Sequence, residues 1–373
     1  MHKREHKFTV VILANFFFFL NFSQLVLLPK FIIHLGYSTM DVGIVMGIFN
    51  IAVICTLPLV GLISSRVNRR ALFFLGSLVM AIGTYLFVRV DRVGLEMYML
   101  RTLQGIGFAF AFGISGAMVF DTVLGGARRR YLGLLTASNM VTHAIGPSIG
   151  EFMIASYGFM QYFMSASLFG LIAAAFALGL PGIRDRRYII RGLNLKAAAP
   201  FVAGSVLLGM IFGSTVVFLP PYLMRVGIEN SSLFFITFVS GGFILWVFLY
   251  RFFKNRDRLI IYAFAVIMIM MLPLMVYFIR GNTSLVCLAL LFGVGYSYLY
   301  PTLNGLTMSS LPRTKGLANA LFVWAFNLGM AIALFAFGIM SSLYGYRKSF
   351  FAVGLTGLLF FTITGSLRRP ARD

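Results

Sequence analysis

Residues 28–36 read LPKFIIHLG, and residues 219–227 read LPPYLMRVG. The two leading residues and the closing glycine of the first stretch match those of the second without a gap. In both places, a short polar segment follows, and then a long apolar run that ends in basic residues. A membrane hairpin repeated at about half the chain length is typical of two structural halves joined in the middle.

A second trace of the repeat supports the same division, because YGF at residues 157–159 is answered by YGY at residues 344–346. The sequence therefore predicts an amino-terminal bundle over residues 1–182 and a carboxyl-terminal bundle over residues 199–373. The segment between them, residues 183–198, is short and basic. We expect it to form a cytoplasmic loop or a brief interfacial helix.

The composition is that of a polytopic membrane protein, with 60% hydrophobic, 16% aromatic and 11% charged residues. Apolar runs of about 20 residues, the length needed to cross a bilayer, follow one another along the chain. The sequence predicts an all-α fold of twelve transmembrane helices, six per half. The predicted spans are 8–33, 40–63, 71–88, 94–120, 132–155, 160–181, 199–224, 232–252, 259–279, 284–310, 317–342 and 348–367. Cys55 and Cys287 lie in different halves, which argues against a disulfide framework or a zinc site.

The distribution of the 31 Lys and Arg residues predicts the orientation. Most of them flank the amino terminus, the loop after every second span and the carboxyl terminus. The opposite loops hold fewer, namely Lys30, Arg89, Arg92, Arg225, Arg280, Arg347 and Lys348. Both termini are therefore expected in the cytoplasm of a bacterial or archaeal plasma membrane. The same distribution and contact with anionic lipid explain the net charge of +21, so it does not indicate nucleic-acid binding.

The basic end of the first repeat, GLISSRVNRR at residues 61–70, resembles the G-x-L-a-D-r-x-G-r-r motif of the major facilitator superfamily. The matching residues that the resemblance assigns to conformational gating are Gly61, Arg66, Arg69 and Arg70. Ser65 replaces the family's Asp, and Asn68 replaces its Gly, where Asn is expected to tolerate a left-handed backbone. The resemblance also implies that Asp121 pairs with Arg69 as a latch, although Asp121 is equally consistent with an ordinary surface acid.

In the fourth predicted span, RTLQGIG matches the superfamily's R-x-x-q-G-x-g motif through Arg101, Gln104, Gly105 and Gly107. We interpret Arg101 as the one base inside a span, and a cation there should face the protein interior with a partner. The resemblance implies a role in proton transfer or in binding substrate charge. The alternative is that Arg101 only braces helices, through backbone carbonyls or Glu151.

The fifth predicted span contains Gly146, Pro147 and Gly150, which match the core of the motif g-x-x-x-G-P-x-x-G-G. This motif marks the antiporters of the superfamily, and the match is partial because Thr142 and Glu151 replace its first and last glycines. Proline removes a helix hydrogen bond and glycine permits close helix approach, so these residues predict a bendable seam between the halves.

Several polar residues of the first half are candidates for the substrate or proton pathway. His143 has a side chain that titrates near physiological pH when unperturbed, and it is either a proton carrier or a hydrogen-bonding contact between helices. Glu151 is expected to pair with Arg101, and we predict that both share a hydrogen-bonded site with His143. The remaining candidates are Asn21, Gln24 and Asn139.

In the second half, no ionisable residue falls at the membrane centre of the predicted spans. Phe292, Tyr296, Tyr300 and Asn304 recur at four-residue spacing in the tenth span, so they lie on one helix face. Asn327 lies in the eleventh span. These residues either pack helices together or contact a substrate. The G-x-G of Gly293 and Gly295 follows no strand, which favours close helix packing over a nucleotide loop.

The most favoured function is secondary active transport by alternating access, and the resemblance implies proton-coupled export of a small lipophilic or amphipathic compound. Uptake of a small, possibly anionic, metabolite by symport or uniport is the alternative, and a membrane-embedded receptor or enzyme is more remote. The expected partners are a small-molecule substrate, protons and the lipid bilayer. We expect a monomer that is not an enzyme and has no cofactor, since no ATP-binding loop and no nucleophile or metal constellation is present.

Overall fold

The computed structural model describes residues 2–63, 67–122, 128–180, 182, 195–249, 258–311 and 315–363. These residues form helices joined by turns, and no strand occurs among them. The α-helices, in chain order, are α1 His2–Gln24, α2 Leu28–His34, α3 Thr39–Ile63, α4 Arg69–Leu86, α5 Leu95–Thr122, α6 Arg128–Tyr157, α7 Phe159–Ala177, α8 Leu195–Arg225, α9 Ser232–Ile244, α10 Arg258–Met275, α11 Asn282–Ser310, α12 Lys315–Tyr344 and α13 Tyr346–Thr356. Short 3₁₀ or π segments follow five of them, at Leu25–Leu27, Phe87–Arg89, Leu245–Leu249, Val276–Phe278 and Gly357–Ile363.

Eight helical segments of the described chain are long and apolar enough to cross a membrane. Within the described residues, all twelve predicted spans fall on helical segments, but four of these segments do not meet that criterion. The four are Leu95–Thr122, Arg128–Tyr157, Ser232–Leu249 and Tyr346–Ile363. The number of spans therefore stays a prediction.

The chain divides into two compact units, one of Met1–Leu35 with Ile48–Ile189 and the other of Gly36–Gly47 with Ile190–Asp373. In the first unit, α1 packs against α6 and α7, and α4 packs against α5 and α7. In the second unit, α8 packs against α12, and α11 packs against α9 and α10. The short segment 36–47 groups with the second unit, in which Gly43 on α3 lies against the backbone of Leu334 on α12.

Close packing of α5 and α11 depends on their paired glycines. A Cβ atom added to Gly105 would lie 2.5 Å from the carbonyl oxygen of Phe49 on α3, and one on Gly107 would lie 2.8 Å from that of Gly76 on α4. On α11, Gly293 lies against the carbonyl of Phe238 on α9, and Gly295 against α10. The interpretation of the second G-x-G as close helix packing is confirmed.

The repeated turns have the same backbone conformation in both halves. Gly36 has φ of 86° and Gly227 has φ of 81°, while Gly158 and Gly345 have 87° and 82°. This left-handed region is readily adopted only by glycine. Asn68, for which a left-handed backbone was also expected, is instead extended at φ −62° and ψ 129°. Its side chain accepts a hydrogen bond from the Arg70 backbone at 2.9 Å, so it caps α4.

Candidate functional site

A buried ion pair lies near the end of the first membrane segment, Phe8–His34, which comprises α1, the short 3₁₀ segment and α2. Nζ of Lys30 is 2.6 Å from Oε1 of Glu151, and their side chains are 4% and 12% exposed. The interpretation of Arg101 as the one base inside a span is therefore wrong, and so is the placement of Lys30 in an outer loop. The physical reason is that the helix continues past Pro29 to His34, so Lys30 faces α6 rather than water. The predicted span 8–33 already included Lys30, and the need of Glu151 for a cation could have identified it.

Arg101 is fully embedded in the first unit, at 2% exposure. Its Nη1 donates to Oε1 of Gln104 at 2.8 Å, and its guanidinium lies over the ring of Phe49 at 4.5 Å. Nε2 of Gln104 in turn donates to the hydroxyl of Thr84 at 3.1 Å. The motif on α5 thus forms a polar chain from Arg101 toward α4. A cation over an aromatic face gains electrostatic stabilisation where water is excluded.

Asn21 on α1 continues this polar chain, because its Nδ2 donates to the Thr84 hydroxyl at 3.4 Å, and Gln24 lies three residues later. Nδ2 of Asn21 donates to the carbonyl oxygen of Ala166 at 2.6 Å. The backbone carbonyl of Gln24, at the point where α1 ends, accepts a hydrogen bond from the Tyr162 hydroxyl at 2.6 Å. Oδ1 of Asn21 and Nε2 of Gln24 are buried without a hydrogen-bond partner among the described residues. A buried polar atom left unpaired costs free energy, so both atoms are candidates for binding a polar ligand group.

His143 occupies an aromatic environment on α6. Its ring meets the edges of Phe19 and Phe22 at centroid distances of 6.4 Å and 6.5 Å. Among the described residues it has no hydrogen bond, so the predicted site shared with Arg101 and Glu151 is not formed in this structure. Asn139, one turn earlier, accepts a hydrogen bond from Nδ2 of Asn15.

The glycines of the antiporter-like motif pack within the first unit. A Cβ atom on Gly146 would clash with the Ser23 side chain, and one on Gly150 would lie 2.7 Å from Cδ1 of Leu27. Their nearest neighbours therefore belong to the first unit, and the seam between the halves stays a prediction. Because glycine has no side chain, these two residues let α6 pack closely against α1 and against the Leu25–Leu27 segment that follows it. Pro147 lies within α6, where it leaves the carbonyl of residue 143 without its helical donor.

In the second unit, Tyr296 and Tyr300 join an aromatic cluster. We define this aromatic cluster by its six rings, Phe212, Phe238, Tyr296, Tyr300, Phe322 and Phe326. Tyr296 stacks on Phe212 at 4.5 Å, and Tyr300 meets Phe322 edge-on at 4.9 Å. Neither tyrosine hydroxyl makes a hydrogen bond to a described residue. The four phenylalanines come from α8, α9 and α12. Their roles were not predicted, because only Phe322 and Phe326 are linked by helical spacing and no spacing connects either of them with Phe212, Phe238 or the two tyrosines.

The two asparagines predicted beside these tyrosines have other partners. Nδ2 of Asn304 donates to Oδ1 of Asn319 at 2.8 Å. Nδ2 of Asn327 donates to the carbonyl oxygen of Val323 at 2.8 Å, within its own helix. Phe292, the first residue of the predicted stripe, is fully buried. Within the stripe on α11, Phe292 therefore packs in the protein interior, whereas Asn304 makes a polar contact with α12.

The gating residues are only partly described. Arg66 lies outside the described residues, and the surroundings of Gly61 in α3 and Asp121 in α5 are also not described. Arg69 is buried at the start of α4, whereas Arg70 is exposed. The latch between Asp121 and Arg69 stays a prediction.

The sequence is similar to those of several transport-related proteins. Multidrug resistance protein 2 of Bacillus subtilis (strain 168) is 31% identical over 169 residues, which cover 44% of this chain and 41% of that protein. This chain thus matches less than half of that relative. The staphylopine export protein of Staphylococcus aureus (strain Mu50) is 22% identical over 383 residues, covering 96% of this chain and 95% of that protein.

Solved structures share the fold. The crystal structure of the nucleoside transporter NupG has a TM-score of 0.79 at 12% identity, covering 97% of this chain and 99% of that one. A bacterial homologue of the human lysosomal transporter Spinster, in an inward-facing and unoccupied conformation, has a TM-score of 0.78 at 14% identity, with 97% of each chain covered. The sequence itself matches the Major Facilitator Superfamily over residues 10–333. This integral, multi-pass membrane protein therefore belongs to the major facilitator superfamily.

Proposed function

We propose that this protein is a secondary active transporter that exports a small lipophilic or amphipathic compound in exchange for protons. Twelve spans form two six-helix bundles, residues 1–182 and 199–373, joined by a cytoplasmic linker, 183–198. Both termini lie in the cytoplasm, and the protein resides in the plasma membrane. The bundles alternate access to a midplane site.

The observation that carries this proposal is the aromatic cluster with its two hydroxyls that bond to no described residue. Aromatic rings bury a large apolar area on a ligand, and a few polar groups then fix its orientation. A surface of this kind suits an apolar compound with a small polar group. The names of the relatives, a multidrug resistance protein and an export protein, support export of such a compound.

Uptake of an anionic metabolite is the second candidate, because two cations, Lys30 and Arg101, are embedded in the first unit. A substrate acid group could be drawn to them from either side of the membrane. The direction of substrate transport and its coupling to protons therefore need to be measured in the same experiment.

The test uses the full-length protein in liposomes and a naphthalene carboxamide as the probe. This compound is neutral, so a pH gradient alone cannot trap it. With an acidic lumen, we expect the liposomes to accumulate the probe above the level in protein-free liposomes, and the lumen to lose protons at the same time. A protonophore should abolish the accumulation.

Accumulation driven by an alkaline lumen instead would indicate proton symport and contradict export by exchange. Equilibration that ignores the pH gradient would indicate a uniporter. Tetrameric or dimeric protein in native membranes would contradict only the expected monomer, and light scattering of the purified protein tests that separately.

A further inference from the structure

The first unit holds an unequal number of positive and negative charges inside its spans. Outside the first and last turns of its spans, and apart from histidine, the charged side chains that the structure describes are Lys30, Arg101 and Glu151. Two positive charges against one negative leave a surplus of one positive charge. Any charge on His143 would add to that surplus.

Lys30 sets the sign of this surplus because it neutralises Glu151. The 2.6 Å separation and the low exposure of both side chains place the pair where water screens it little. A buried carboxylate without Lys30 would attract a cationic compound. With Lys30 present, that carboxylate is already occupied by a cation.

All three charges belong to one neighbourhood. The polar chain from Arg101 through Gln104 and Thr84 reaches Asn21, whose Nδ2 donates to the carbonyl oxygen of Ala166 on α7. Tyr162, one turn earlier on α7, lies 3.1 Å from an added Cβ atom on Gly150, the residue before Glu151. The surplus charge therefore lies close to the ion pair rather than in a remote part of the unit.

Apolar rings adjoin the surplus charge. The ring of Phe49 lies under the Arg101 guanidinium, Phe22 stacks on Phe49 at 5.8 Å, and Phe22 contacts Phe108 at 4.5 Å. Phe22 is partly exposed, whereas the other two rings are buried. An aromatic surface beside a cation matches a molecule with an aromatic body and an acidic group.

We propose that Lys30 is a specificity-determining residue that makes the transported compounds aromatic organic anions and excludes organic cations. This inference rests on the proposed transport function and names its substrate class. Removal of the Lys30 charge should weaken the preference for anions, and removal of the Glu151 charge should strengthen it. Opposite effects of the two substitutions distinguish charge selection from a merely structural ion pair, whose loss would impair binding of all compounds alike.

The experiment measures binding to the purified full-length protein by isothermal calorimetry. The probes share one naphthalene body that carries a carboxylate, a carboxamide or a trimethylammonium group. We expect wild type to bind the carboxylate at least about tenfold more tightly than the ammonium compound, since like charges in a poorly screened site repel. The variants are Lys30→Met, Glu151→Gln and the double substitution, with Lys348→Met as a matched control at an exposed lysine.

The ratio of carboxylate to ammonium affinity should rise in Glu151→Gln and fall by about tenfold or more in Lys30→Met. The double variant should return to the wild-type ratio, because its surplus is again one positive charge. If Lys30→Met does not fold, the double variant still tests Lys30 by comparison with Glu151→Gln, since neither leaves a buried carboxylate unpaired. The ratio should be about tenfold or more lower in the double variant than in Glu151→Gln, and equal ratios would overturn the inference. Lys348→Met should behave as wild type.

The inference is overturned if wild type binds the ammonium compound as tightly as the carboxylate, or binds no carboxylate. It is also overturned if folded Glu151→Gln and Lys30→Met change the ratio in the same direction. Failure of the proposed transport would look different, because binding would show the expected charge dependence but the carboxamide would not accumulate in liposomes under a proton gradient.

Discussion

Helices α5 and α11 occupy comparable places in the two units, but their side chains differ in chemistry. Each carries a G-x-G, and in each the two glycines face two different neighbouring helices, α3 and α4 in the first unit and α9 and α10 in the second. Four residues before its first glycine, α5 carries the buried Arg101. Directly after its second glycine, α11 carries the ring of Tyr296.

The same contrast holds in the stretch that opens the repeat. In the gapless match of residues 28–36 with residues 219–227, Lys30 falls opposite Pro221. The first unit therefore has an ion pair where the second has a helix-bending residue. The comparison teaches that the repeat preserves backbone contacts, while the buried ion pair lies in one unit and the aromatic hydroxyls that bond to no described residue lie in the other.

The largest expected effect tests the shared backbone contacts. In Gly105→Leu and in Gly293→Leu, the new side chain would meet a backbone carbonyl that cannot move aside. Even one added methylene in a packed core costs about 1 to 3 kcal/mol, so a leucine should remove most of the folded protein in both units. Size-exclusion chromatography of fluorescently tagged protein measures the folded fraction.

The matched control is Gly305→Leu on α11, because Gly305 is exposed and nothing lies within 4 Å of an added Cβ atom. It should leave the folded fraction close to that of wild type. If Gly105→Leu gives a normal elution profile while Gly293→Leu gives no folded protein, the glycines of α5 and α11 do not have equivalent packing roles.

A smaller effect is expected at the turns of the repeat. Gly36→Ala and Gly227→Ala should each lower the free energy of unfolding by about 1 to 2 kcal/mol, because alanine is strained in the left-handed region. Nothing lies within 4 Å of an added Cβ atom at either position, so the cost should be purely conformational and equal in both units. Thermal unfolding in detergent gives the comparison.

Asparagine is the control, since it tolerates this region better than alanine does. Gly36→Asn and Gly227→Asn should therefore unfold at higher temperatures than the alanine variants. If alanine does not lower the free energy of unfolding at one of the two glycines, the sequence match at that turn does not reflect a shared backbone requirement.

The sequence was most informative where local backbone physics decides the structure. Glycines at matched positions predicted the repeated turns, and apolar runs predicted where the helices lie, because both depend on residues close in sequence. The partners of buried charges were not predicted. Depth along the membrane suggested Arg101 as the partner of Glu151, whereas the rotation of the helix after Pro29 brings Lys30 to it.

The candidate site shows the same limit. Tyr296 and Tyr300 were found from their spacing on one helix, but Phe212 and Phe326 come from two other helices and could be placed only in three dimensions. Packing also decided the contacts of Gly146 and Gly150, which lie against the first membrane segment. Helix rotation is set by these long-range contacts, which a single sequence does not reveal.

The smallest expected effect on stability concerns the hydroxyls of the aromatic cluster. Tyr296→Phe and Tyr300→Phe remove groups that bond to no described residue, so each should change the free energy of unfolding by less than about 0.5 kcal/mol. If the hydroxyls orient a substrate, each substitution should weaken binding of the naphthalene carboxamide about threefold to tenfold, the contribution of one hydrogen bond.

Tyr222→Phe is the matched control in the same unit, because its hydroxyl donates to the carbonyl oxygen of Val276 at 3.2 Å. That variant should lose about 1 kcal/mol of stability and keep its affinity. Calorimetry and thermal unfolding on the same preparations separate the two effects. Unchanged affinity in both Tyr296→Phe and Tyr300→Phe would mean that the cluster only packs helices, and the contrast between a polar unit and an aromatic binding unit would then fail.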